Sequence, residues 1–145
     1  MKKLIDWKPN LRNFFEESKD KKFVFGKWDC VIFTDTAIKA MTGKHLLPKS
    51  WKTWKNESEA LKSIQKLGKG KGLAQGIDEA IKKSGGLREV PVIERQMGDI
   101  VVVKQETEQS LICDGFKLVG VGTGDGTVEA DVDMAYGSLT LGFKF

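Results

Sequence analysis

The hydrophobic pattern changes its period once, near residue 89, and that change limits the chain to a two-part fold. Before it, apolar residues recur at three- and four-residue intervals, the spacing of one helix face. After it they alternate or run together, as strands do. The first helix is expected from Leu11 to about Lys19, capped by Asn10, with Leu11, Phe14 and Phe15 inward. Phe23-Val24-Phe25-Gly26 is a short apolar entry that breaks at the glycine. Asp29 is placed to cap a second helix, Cys30 to Thr42, with Gly43 as its stop and a buried stripe of Cys30, Phe33, Ala37, Ala40 and Met41. A third is expected from Asn56 to Leu67, with Leu61, Ile64 and Leu67 inward and Gly68 as terminator. A fourth spans Leu73 to Lys83 and closes at Gly85-Gly86.

Beyond residue 89, Ile100 to Val103 is a β-branched run opened by Gly98-Asp99, Ser110 to Cys113 a second strand and Phe116 to Val121 a third. Gly122 to Gly126 has the composition of a turn. Val128, Ala130 and Val132 alternate with Glu129, Asp131 and Asp133, a half-exposed strand, and Leu139 to Phe145 closes the chain with Leu141, Phe143 and Phe145 on one face. Helices followed by an antiparallel sheet make an α+β domain. No repeat or linker divides it, so one domain is expected over 1–145, helical to about 88 and sheet from about 89.

The counts exclude several chemistries. Met1-Lys2-Lys3 is not followed by a long apolar run, so neither a signal peptide nor a membrane span is expected. Cys30 and Cys113 alone make no disulfide framework and no four-cysteine zinc site. A single histidine, His45, rules out sites that need two imidazoles from one chain. Gly68-Lys69-Gly70-Lys71-Gly72 lacks the Walker spacing and follows a helix, and Asp125 to Asp133 does not match a calcium loop, so no cofactor and no metal are expected. Residues 1–90 carry 20 basic and 11 acidic side chains, a balance of +9, against 4 and 9, a balance of −5, over 91–145. A nucleic-acid surface is one reading of that split. But 21 of the 24 basic residues are Lys, where bidentate recognition favours Arg, so a solvated helical face is the stronger reading. Trp51 and Trp54, between Lys49, Lys52 and Lys55, suit a core or subunit contact better than a stacking platform.

Cys30 is the residue with chemical potential. A thiol in the first turn of a helix meets unpaired N–H groups and the positive dipole end, which favour the thiolate and could hold an oxyanion. The alternative is a small apolar residue beneath Phe33 and Ala37. Phe25-Gly26-Lys27-Trp28-Asp29-Cys30-Val31-Ile32-Phe33, a helix ending in Thr42-Gly43-Lys44, and later Arg95-Gln96-Met97-Gly98-Asp99-Ile100-Val101-Val102 resemble a small family of phage and prophage tail-associated proteins related to NlpC-type, papain-like cell-wall cysteine peptidases. The resemblance covers roughly residues 20–145. It implies a papain-like NlpC-type fold, with Cys30 at the nucleophile position, Asp29 as the cap beside it, and Gly98-Asp99 leading into the first sheet strand.

In the active peptidases the catalytic His begins the next strand. The corresponding stretch here is Gln109 to Gly115, which puts Gln109 about where the His belongs. Gln109 cannot act as a base. His45 lies beyond the Gly43 stop, and a helix over 30–42 separates its ends by roughly 20 Å, so His45 is read as a surface or loop-packing residue. Catalysis is therefore compromised, and the expected role is structural: a degenerate peptidase fold in phage tail assembly or the tail tip (hub or baseplate), made in the host cytoplasm, resident in the virion tail, and packed with other tail proteins in an oligomeric assembly. The first rival is an active cell-wall endopeptidase or amidase using Cys30, shaped by Trp28 and Asp29, with a peptidoglycan peptide as ligand. The weaker rival is a basic nucleic-acid-binding module.

Overall fold

The computed structural model of the chain describes residues 2–47, 53–67, 69–70, 72, 76–77, 79–80, 83, 88–104, 108–121, 127–130 and 139–144. Among the described residues, the helices α1 (Trp7–Ser18), α2 (Cys30–Thr42) and α3 (Glu57–Leu67) precede a sheet of β1 (Arg88–Val90), β2 (Ile100–Lys104), β3 (Glu108–Cys113), β4 (Leu118–Val121), β5 (Thr127–Ala130) and β6 (Leu139–Lys144). The strands lie in the order β1-β6-β2-β3-β4-β5, and each neighbouring pair is antiparallel. The fold is α+β. Among the described residues no helix is long and apolar enough to cross a membrane.

α2 is the central helix. Asp29 caps its start and Gly43, at φ +78°, ends it with its N–H donating to the Lys39 carbonyl. Its buried side includes Phe33, Ala37, Ile38 and Met41, and it packs on β3 and β4. Alternation in the strands sends Ile100, Val102, Ile112, Val119 and Val121 into this helical core. Val101, Val103, Leu111, Cys113 and Leu118 form a second buried cluster on the opposite face. Phe14 of α1 meets Phe33 of α2 with ring centroids 5.0 Å apart, and Trp28 stands edge-on to Phe33 at 5.8 Å.

Several expected boundaries move. α1 begins at Trp7, with Asp6 at the cap position, and Asn10 lies inside it rather than capping it. Pro9 is tolerated there because first-turn N–H groups have no intrahelical acceptor to lose. α3 keeps Asn56 as its start, whose Oδ1 accepts from the Glu59 amide, but buries Ala60 and leaves Leu61 44% exposed. One residue is a rotation of about 100° on a helix, so the inward stripe is centred on Ala60, whose small side chain permits close packing. The side chains of Ile64 and Leu67 lie outside what the structure describes. β3 begins at Glu108, two residues early, and β4 begins at Leu118 because residues 114–117 form a turn containing Phe116. β1 was not expected. In the expected fourth helix only 76, 77, 79, 80 and 83 are described, all helical, with Ile77 and Ala80 buried. Trp51, the 122–126 turn, Asp131 to Asp133 and Phe145 lie outside the described residues.

Gly98 joins the two halves. It sits at φ +87°, and a Cβ there would come within 2.9 Å of both Met41 Sδ and Trp7 Cζ3. Gly98→Ala is expected to cost about 2 kcal/mol or more, from left-handed strain and a forced shift of two core side chains. It should lower the urea midpoint without changing the slope. A midpoint equal to that of the parent protein would show that the junction tolerates a side chain.

Candidate functional site

The site is assembled around the start of α2. Asp29, 3% exposed, adopts extended backbone and turns its carboxylate back over the helix. Val31 and Ile32 amides donate to Oδ1 at 3.1 and 3.0 Å. The Gly26 amide donates to Oδ2 at 2.9 Å, and the Trp54 indole N–H donates to the same oxygen at 2.6 Å. One carboxylate thus ties together the Phe25-Gly26 turn, α2 and the segment before α3. Gly26 is needed for this arrangement: its φ is +78°, and a Cβ would run into the Trp54 carbonyl oxygen. The turn is closed by Val24 and Trp28, which exchange backbone hydrogen bonds at 2.9 and 2.7 Å.

Cys30 follows directly, as the first residue of α2; the residue keeps some exposed surface, while its thiol, next to Ser110, is buried. The neighbouring strand residue on its side of the sheet is Ser110. Thr34 Oγ1 donates to Ser110 Oγ at 2.7 Å, and Ser110 Oγ donates to the Cys30 carbonyl at 3.0 Å. This relay pins the helix start to the middle of β3. Gln109 does not take part in it. Ser110 bonds to α2 and Ile112 enters the helical core, so strand alternation places Gln109 on the opposite face with Leu111 and Cys113. Cys30 and Asp29 are brought together, and Gln109 is not brought to them. Counting parity back from the inward Ile112 would have identified Ser110 from sequence.

The thiol's electrostatics run against the helix-start expectation. Burial pushes the Cys30 thiol above its ordinary pKa. Hydrogen bonding from the Ser110 backbone opposes this, the Asp29 charge adds to the rise, and the Ser110 hydroxyl and the residue's own amide oppose it more weakly. The Val31 and Ile32 amides, expected to favour a thiolate or an oxyanion, are already occupied by Asp29. Cys113 is also a free thiol, raised by burial, and faces the other side of the sheet, so no Cys30–Cys113 disulfide forms.

The remaining candidates have structural partners. The chain after Gly43 folds back along α2, so His45 Nδ1 lies 2.6 Å from Asp35 Oδ2. Asp35, 1% exposed, also accepts from the Leu46 and Leu47 amides at 2.8 and 2.9 Å. Asp35 stands about 7.5 Å along the helix and about 140° around it from Cys30, so His45 is a loop-packing residue. Trp28 is buried against Phe14 and Phe33, with Lys21 Nζ 4.3 Å from its ring centroid. Trp54 is core. Among the described residues no group of three His, Cys, Asp or Glu side chains is placed to hold a metal ion.

Over residues 2–137 the chain matches the model of a family described as a domain of unknown function (DUF6950). The chain belongs to that family. No curated protein matches it.

The carboxylate's four bonds set the prediction here. Asp29→Ala is expected to cost about 3 kcal/mol, because it removes the cap and strands the Trp54 and Gly26 donors. Asp29→Asn keeps an acceptor for the first turn but turns an amide NH2 toward those two donors, so it should recover only the cap's share, about 1 kcal/mol. Denaturant melts of both variants decide this, and an Asn variant as stable as the parent would contradict the two-sided role.

Proposed function

We propose that this chain is a structural protein of a phage tail, acting in tail assembly or at the tail tip, on an NlpC-type papain-like scaffold that performs no catalysis. The motifs that carry the resemblance are Phe25-Gly26 with Asp29-Cys30, and Gly98-Asp99 entering a strand. In the fold these stand at the start of α2 and of β2. The observation that carries the non-catalytic reading is what faces the thiol. A cysteine nucleophile needs a thiolate and a neighbouring proton acceptor. Here the thiol is raised by burial, and the side chain presented by β3 is the hydroxyl of Ser110, already engaged with Thr34 and Cys30.

A serine hydroxyl does not hold a proton at neutral pH as an imidazole does, and it cannot protonate a leaving amine. His45, the chain's single imidazole, is committed to Asp35. The Asp-Cys pair then serves folding: Asp29 as the cap and cross-link, Cys30 as a small side chain wedged between α2 and β3. What such a scaffold offers is surface, and its partners are other tail proteins in an oligomeric assembly in the virion tail.

The test is genetic and chemical together, in the phage or prophage that carries this chain. Deletion should abolish tailed particles, while Cys30→Ala should assemble them at the parental yield. The purified protein should release no fragments from peptidoglycan stem peptides beyond those released by Cys30→Ala. Cys30-dependent cleavage, a Cys30→Ala variant that folds yet fails to assemble tails, or normal tails after deletion would each overturn the proposal.

A further inference from the structure

Two surface features stand out among the described residues. The β3–β4 turn carries Phe116 at its tip, 87% exposed. Its exposure is built in: the Asp114 amide donates to the Lys117 carbonyl at 2.9 Å, and Asp114 Oδ1 accepts from the Phe116 and Lys117 amides at 2.8 and 2.7 Å. Gly115 supplies the positive φ of +108° that the turn requires. A large aromatic side chain held rigidly in water loses little conformational freedom when it is buried by a partner.

Elsewhere on the molecule, α1 and α2 enclose an open groove of about 430 Å³. Leu4, Phe14 and Ala40 give it apolar surface, while the exposed side chains of Asn13, Glu17 and Lys39 line it as well. A cavity of about 150 Å³ is enough for a benzene ring. The charges beside them are opposite: Asp114 stands next to Phe116 at the tip, and the exposed Lys39 stands at the groove.

We propose that the Phe116 turn of one copy docks into the α1–α2 groove of a second copy, with Asp114 meeting Lys39. Tip and groove are different surfaces, so the contact is head-to-tail, and its repetition generates a ring or a filament. A single turn in a groove buries less than the roughly 1,200 Å² typical of stable complexes, so the association is weak and concentration-dependent. The inference goes beyond the tail reading and does not require it.

Sedimentation velocity of the full chain, from micromolar to near-millimolar concentration at low salt, tests it. The parent should associate as concentration rises. Phe116→Ser should weaken association at least about tenfold, as loss of a central aromatic anchor does, and Ala40→Arg should do the same by filling the groove. Phe116 is exposed, so its variant folds; circular dichroism checks Ala40→Arg. Asp114→Asn keeps the turn's acceptor and Lys39→Gln removes its partner's charge. Each should weaken association, and the double variant should be no weaker than either alone. A parent that stays monomeric throughout, an unaffected Phe116→Ser, or additive effects of Asp114→Asn and Lys39→Gln would overturn the contact. A monomeric parent that still supports tail assembly would overturn this contact and leave the tail reading standing.

Discussion

The Asp29 carboxylate is the interaction on which the rest of the structure depends. Four donors from three stretches of chain converge on its two oxygens, and two of those stretches, the Gly26 turn and the Trp54 segment, have no helix or sheet ladder of their own to hold them. A buried carboxylate is tolerated only when its charge is well hydrogen-bonded, and each charge-assisted bond is stronger than a neutral one. The same four bonds fix where α2 begins, how the aromatic turn enters it and where the chain passes before α3. The Phe14, Trp28 and Phe33 rings then close over that frame, and Gly98 lets both Trp7 and Met41 pack against its backbone at the other end of the helix.

That solution for the fold has a consequence for the thiol beside it. A helix start can serve a cysteine in two ways, through its dipole and through its free amides. Asp29 occupies the Val31 and Ile32 amides and places a negative charge next to the sulfur, while the contact with β3 removes water from it. The Thr34–Ser110–Cys30 relay puts two hydroxyls beside the helix start, one donating to the other and the second to the Cys30 carbonyl. A cysteine at a helix start can therefore be held by interactions that favour its protonated form.

What was legible in the sequence was local. Asp29 before Cys30 and Gly43 after Thr42 mark the ends of α2 because capping is decided within a few residues, and the residue-89 change of period marks the start of the sheet half. Pro9 concealed the true start of α1, since a proline reads as a break although the first turn accepts it. Phe116 read as strand because an aromatic residue suits a strand, yet Gly115 and the Asp114 side chain make it a turn. The contacts between distant residues could not be read: Trp54 reaches Asp29 across 25 positions, and Ser110 reaches Cys30 across 80. The facing of Gln109 was not legible for a related reason, since a strand's facing is set by its partners and a one-residue offset exchanges the two faces. His45 was read rightly as a packing residue, but by a different route: the chain folds back beside α2 rather than remaining at its far end.

Cys30 is held as a protonated structural thiol. The direct measurement is the rate of Cys30 alkylation by iodoacetamide as a function of pH, in the folded protein carrying Cys113→Ala so that one thiol reports. The rate should rise only above the ordinary thiol range, with a midpoint beyond about 8.5, and the midpoint should fall once the protein is unfolded in denaturant. A midpoint below about 7, lost on unfolding, would instead reveal an activated thiolate of the kind a nucleophile requires.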